Sequence, residues 1–185
     1  MNDLEAAKQT EPSLVIIPLD ATFDLFRIPS ADAGRLIGPL EALSSKALRY
    51  SIDNPVSPPS KDDRQAMAAC EKASGNRYVS ITRTQDEISL PIDKQVGDEL
   101  RENADWATES KAGLIEHEGP YGCLRVRGPM PLYLTGIAAN FTKTLQTANI
   151  AVFVISTWDT DWIFVKQDKV AEAAAALAKD GWVVL

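Results

Sequence analysis

Apolar positions in the second half of the chain change period several times. Residues 123–126, Cys-Leu-Arg-Val, alternate as a strand does. Gly128-Pro129-Met130-Pro131 then interrupts the chain. From Leu132 the period is helical, with Leu134, Ala138, Phe141 and Leu145 on one stripe widened by Ile137 and Ala148. Residues 150–156 form a continuous apolar run rich in β-branched side chains, which predicts a strand buried on both faces. A turn over 157–160 and a strand over 161–165 complete a hairpin. Asp168 is placed to cap a helix over 169–179, whose apolar side is Val170, Ala173, Ala174 and Leu177. Gly181 ends that helix, and 182–185 read as a last strand. The order β-α-β-β-α-β is that of the ferredoxin-like split βαβ arrangement.

The first half repeats this order in weaker form. Residues 14–19 and 23–28 read as strands, and Leu36, Leu40 and Leu43 give 33–43 a helical period. Residues 78–82 and 87–92 form a second hairpin, followed by a helix over 96–106. Phe26-Arg27-Ile28 aligns with Leu124-Arg125-Val126, and Gly38 aligns with Gly136 at the same offset. Ser80-Ile81-Thr82 aligns with Val154-Ile155-Ser156 only if the first half carries an insertion. The insertion falls at about 53–76, loop-like at first and then helical. The expected fold class is therefore α/β, in the α+β sense, with two ferredoxin-like βαββαβ units in tandem. The expected division is a flexible tail over 1–12, a first unit over 13–107, a linker over 108–121 and a second unit over 122–185.

Composition narrows the function. The chain has 185 residues and a formal net charge of −7. That balance repels phosphate backbones and anionic lipid, so neither nucleic acid nor a membrane is an expected partner. No apolar run approaches the roughly 20 residues of a membrane helix, and no secretory leader is visible, which points to the cytoplasm. Cys70 and Cys123 lack a CxxC spacing. Cys123 lies in an expected strand, as a small apolar residue would.

Three stretches resemble the ACT domain, a ferredoxin-like module that binds small effectors, usually amino acids. They are Leu124-Arg-Val-Arg-Gly-Pro-Met-Pro-Leu-Tyr-Leu-Thr-Gly136, Ile155-Ser-Thr-Trp-Asp-Thr-Asp161 with Trp162-Ile-Phe-Val165, and Ser80-Ile-Thr-Arg-Thr-Gln-Asp-Glu87-Ile-Ser-Leu90. The nearest type is the tandem ACT protein of the CASTOR, or cytosolic arginine sensor, kind, together with small bacterial ACT proteins. That resemblance implies a homodimer through the second unit, with a ligand between the 157–161 turn and the start of the following-in-space helix, at an ACT–ACT interface. Thr157, Trp158 and Asp161 match the family motif residue by residue. Where arginine-binding relatives carry a second carboxylate, this chain has Leu134 and Thr135. A guanidinium would lack that partner, which points to a smaller or more apolar amino acid.

Chemistry supports the same residues. A helix N-terminus offers free N–H groups to a carboxylate. The sequence places that end at Gly128–Leu132, with Met130 and Pro131 nearest and Gly136 one turn in. Asp161 would meet an ammonium, and the carbonyls of the Thr157–Trp158 turn would help. The blander reading makes Asp161 a brace of its own turn, Trp158 an interface aromatic and the glycines packing residues. Asp159-Thr160-Asp161 also matches a DxD metal motif, without the further carboxylates such a site needs. His117 stands between two glutamates with no second histidine, and no phosphate-loop or nucleophile motif is present. The expected protein is a non-enzymatic amino-acid-binding regulator without cofactor or metal, acting on a protein partner. The rivals are an adaptor with a filled interface and, more remotely, a metal-dependent DxD enzyme.

Overall fold

A computed structural model describes residues 3–53, 69–72 and 78–185. The helical stretch expected at 62–73 and the loop before it lie almost wholly outside those residues. The described chain is a mixed α/β fold with antiparallel sheets, and it divides into two compact units: residues 1–20 with 121–185, and residues 21–120.

The first of these units is discontinuous in sequence. Strand β1 (Ile16–Pro18) pairs antiparallel with β5 (Glu116–Val126), with Ile16 opposite Val126 and Pro18 opposite Leu124. Residues 14–19 were expected to open the other unit. They pair here because Leu14, Ile16 and Ile17 are fully buried, and Ile16 belongs to the core of this unit. On its far side Ile16 meets the C-terminal residues: it accepts from Leu185 N–H and donates to Val183 O, in a parallel bridge with Val184. The expected last strand is thus a single bridge at this position.

β5 also pairs with β7 (Asp161–Lys166), and β7 pairs with β6 (Phe153–Ser156). β7 carries the burial expected of a central strand. The run 150–156 does not: only four of its residues are strand, and β6 is an edge with Phe153 and Ser156 exposed. An edge strand has one neighbour, so a continuous apolar run need not mean burial on both faces.

Helices α5 (Ile137–Thr147) and α6 (Val170–Lys179) cover one face of this sheet. Phe141, Leu145, Ala173 and Leu177 pack with Leu124, Val126, Ile163 and Val165. Asp168 does not cap α6. It lies in a 3-10 turn (Gln167–Lys169), and the cap position is Lys169, without a side-chain bond. Gly122 is buried under that turn, where a Cβ would collide with Val170 and Gln167.

The expected tail is helix α1 (Asp3–Thr10), packed on this unit. Leu4 is buried in the core. Lys8 is 1% exposed, and its ammonium donates to the Asp180 carbonyl at 3.0 Å and to the Asp180 carboxylate at 2.9 Å. It also meets Glu5 and lies 5.5 Å from the Trp182 ring centroid. An eight-residue helix is unstable alone, so these contacts hold it.

The second unit holds β2 (Phe23–Pro29), α2 (Ile37–Asp53), β3 (Thr82–Arg83) and β4 (Glu87–Asp93), then α3 (Lys94–Arg101) and α4 (Ala104–Lys111). β4 lies between β3 and β2, all antiparallel. The helix expected over 96–106 is two helices, because Asp93 caps the first and Asn103 restarts the chain as cap of the second. Residues 108–121, expected as a linker, are the end of α4 and the first half of β5. The core here is Phe26, Ile28, Leu36, Leu40, Leu90, Val96 and Trp106 with their neighbours.

Two measurements check this packing. Phe141→Ala should lower unfolding free energy by about 3–5 kcal/mol in urea titration, since it empties a fully buried aromatic site. Asp180 gives a pH test. Burial alone would push its carboxyl up, but the Lys8 ammonium bonded to it leads the interactions that hold it below the ordinary value. Its contribution is therefore complete above about pH 4 and fades as pH falls through the lowered value. The Tm gap between parent and Asp180→Asn should be constant from about pH 8 to 5 and shrink below about pH 4.

Candidate functional site

The residues that the sequence singles out lie on two turns of the discontinuous unit, and backbone hydrogen bonds join those turns. Met130 N–H donates to the Asp159 carbonyl at 2.8 Å. The Thr160 hydroxyl donates to the Val126 carbonyl at the end of β5. The 157–160 turn is closed internally, with Thr157 N–H and hydroxyl both donating to the Thr160 carbonyl at 2.8 and 3.0 Å. The other turn is tied to the N-terminal segment: Gly128 N–H donates to Ser13 O and Arg127 N–H to Val15 O, each at 2.8 Å.

Gly128 is where this approach requires glycine. Its φ is +72°, and a Cβ there would run into the Asp159 carbonyl. Gly136 also has a positive φ, +83°, but open space around it.

The helix start differs from the sequence expectation. Residues 128–136 are turn and coil, and α5 begins at Ile137 with Gly136 as its cap. Pro129 and Pro131 lack N–H groups, and the left-handed Gly136 delays the helix until after it. The free N–H groups of α5 therefore lie at its Gly136 end, where no side chain caps them. Gly128–Leu132 is not that end.

Side chains divide sharply. Met130 and Leu134 are partly buried against the core, and Pro131 is half-buried. Thr135 and Thr157 are exposed. Asp161 is 3% exposed and accepts from the Ser156 hydroxyl at 2.6 Å. It bonds across the Ser156–Asp161 pair of the hairpin, to a side-chain hydroxyl and not to the backbone N–H groups of the blander reading. Trp158 is 87% exposed, and so is Leu132, with Tyr133 at 78%. Leu132 was expected only as the edge of the helix start and Tyr133 only within the ACT-like stretch. The only signal for them was their place between two prolines and a glycine, where large apolar side chains have no core to enter.

Asp159, the other half of the DxD pair, is exposed while Asp161 is buried. Among the described residues no three His, Cys, Asp or Glu side chains cluster as metal ligands. His117, read as part of a solvated charge cluster, is exposed, contacts the buried Asp24 carboxylate through Nε2 at 3.1 Å and stacks on Phe26. Burial pushes the Cys123 thiol up, so it stays protonated as an apolar core group. No helix among the described residues is long and apolar enough to cross a membrane.

Residues 116–179 match the family model of the ACT domain. No curated protein matches the chain in sequence. Among solved structures, the fold is similar to protein Atu0741 from Agobacterium tumefaciens at 22% identity and a TM-score of 0.56, over 92% of this chain and 91% of that one. It is similar to aspartokinase alpha and beta subunits at 13% identity and a TM-score of 0.58, over 89% and 95%. It is similar to VC0802 from Vibrio cholerae, described as a possible transport protein, at 13% identity and a TM-score of 0.54, over 96% and 98%. At these identities the likeness is one of fold. An ACT domain is present, and its matched region contains both turns.

The two glycines give a direct test of the turn geometry. Gly128→Ala should cost about 1–3 kcal/mol in denaturant titration, because it adds a clash to an unfavourable φ. Gly136→Ala should cost only the conformational part, about 1 kcal/mol.

Proposed function

We propose that this chain is a non-enzymatic regulatory protein that binds an amino acid or a similar small ligand at the paired turns. The observation that carries the reading is the Met130–Asp159 hydrogen bond, which joins the loop leading to α5 to the turn that carries the exposed Trp158. The ACT domain over 116–179 supports it, since ACT modules are regulatory and bind small effectors.

In this reading the ligand carboxylate takes the uncapped N–H groups at Gly136–Ala138, where the helix dipole favours an anion. Trp158 forms a wall, and the Thr157 and Trp158 carbonyls receive the ammonium. Asp161 holds the turn rather than the ligand. Residues 128–147 carry no carboxylate to serve a guanidinium, so a small or apolar amino acid suits the turns better than arginine.

Leu132, Tyr133 and Trp158 are each exposed, and a second copy covering them would give a homodimer with the ligand at the interface. Both halves of the chain act as ACT units in this arrangement. The ligand favours one arrangement of the units and so alters contact with a partner protein, by no more than its differential affinity for the two states. The adaptor reading is favoured by one observation: Asp161, Met130 and Leu134 are turned to structural use.

A thermal-shift screen of the twenty amino acids on the full chain tests this. A ligand at 100 times its Kd should stabilise the fold by about 2.7 kcal/mol. The account expects one amino acid, or a small related group, to raise Tm in the parent and to lose that effect in Trp158→Ala. Trp158 is exposed, so its loss should leave the unliganded unfolding free energy within about 0.5 kcal/mol of the parent. No shift with any amino acid would favour the adaptor.

A further inference from the structure

A separate cavity of about 550 Å³ lies between α1, α5 and α6 of the discontinuous unit. It is within the size range of small-ligand sites. Its charges are unequally distributed. Lys143 and Lys179 line it, and among the described residues neither ammonium has an ion-pair partner. Glu5 and Asp180 also line it, and those two carboxylates share one cation, the buried Lys8. The cavity therefore presents two uncompensated positive charges and one uncompensated negative charge.

Neutral hydrogen-bonding groups in the wall are already oriented. Asn140 accepts from the Trp182 indole at 3.1 Å and donates to Glu5 at 3.3 Å, which fixes its amide. The Thr144 hydroxyl donates to the Asn140 carbonyl at 3.1 Å. The Asn140 amide and the Lys8 ammonium both contact the Glu5 carboxylate.

We propose that this cavity is a second small-molecule site, taking a compact zwitterion with an anionic group toward Lys143 and Lys179 and an ammonium toward Glu5 and Asp180. Its logic is independent of the paired turns, since it shares none of their residues. Occupancy has a structural consequence. Glu5 is on α1 while the lysines are on α5 and α6, so a bound zwitterion bridges the N-terminal helix to the layer beneath it. Binding and docking of α1 then reinforce each other by linkage.

Isothermal titration calorimetry of the full chain tests the site, with glycine, L-alanine and L-glutamate as zwitterions, succinate as anion alone and putrescine as cation alone. The expected result is binding of at least one zwitterion, weakened at least tenfold in Lys143→Ala/Lys179→Ala and unchanged in Trp158→Ala. Both lysines are exposed, so the double variant should keep its fold. Protection of α1 from proteolysis should rise with the bound zwitterion. No heat with any zwitterion, affinity equal in the double variant, or equal binding of succinate would each overturn the proposal. Binding lost in Trp158→Ala but kept in the lysine variant would instead place the ligand at the paired turns.

Discussion

The N-terminal segment lies between β5 and the C-terminus, and the unit that holds the candidate site depends on that seat. Ile16 is antiparallel to Val126 on one side and bridged to Val184 on the other. One residue before the strand, Val15 fixes Arg127, and two further back Ser13 fixes Gly128. The same run of backbone that closes the sheet thus sets where the first turn of the site begins. Gly128 then brings that turn against the Asp159 carbonyl at a distance no side chain would permit. Sheet closure, turn placement and site geometry are consequences of a single strand being seated. The helix ahead of it, α1, is fastened by Lys8 to Asp180 and so adds a second attachment for the same segment.

Much of this was legible from residue pattern alone. The hairpin of β6 and β7, the α6 stripe of Val170, Ala173 and Leu177, and the split βαβ order all followed from period and turn chemistry. What was not legible was which partner a strand would choose. Residues 14–19 are apolar enough to open the following unit, and nothing local says that they pair across more than a hundred residues with β5. The start of α5 was misplaced for a related reason: the apolar stripe reaches back to Leu134, but the left-handed Gly136 overrides periodicity. Residues 1–12 were read as a tail because most are polar. The buried pair of Leu4 and Lys8, one helical turn apart, is too short a signal to outweigh that composition.

Residue type alone did not tell which of the candidate side chains would be buried and which exposed. The two turns are joined by the Met130–Asp159 hydrogen bond. Asp161, the best candidate for charge recognition by residue type, is a brace across the hairpin, whereas Trp158 and the unforeseen Leu132 and Tyr133 supply the exposed surface. A carboxylate beside a hydroxyl across a strand pair is stabilised by that bond whether or not a ligand is near. Exposed apolar side chains gain nothing from solvent, which leaves burial by a ligand or a second copy as the physical outlet for them. The regulatory reading therefore rests more on the geometry of two turns and their apolar rim than on any titratable group.

The most direct test follows the indole N–H of Trp158 by heteronuclear NMR while each amino acid is added to the full chain. The account predicts that one amino acid, or a small related group, moves the Trp158 signal in a saturable manner. The buried indole of Trp106, in the other unit, should stay in place. A Trp158 signal indifferent to all twenty amino acids would contradict the claim that the paired turns are a ligand site.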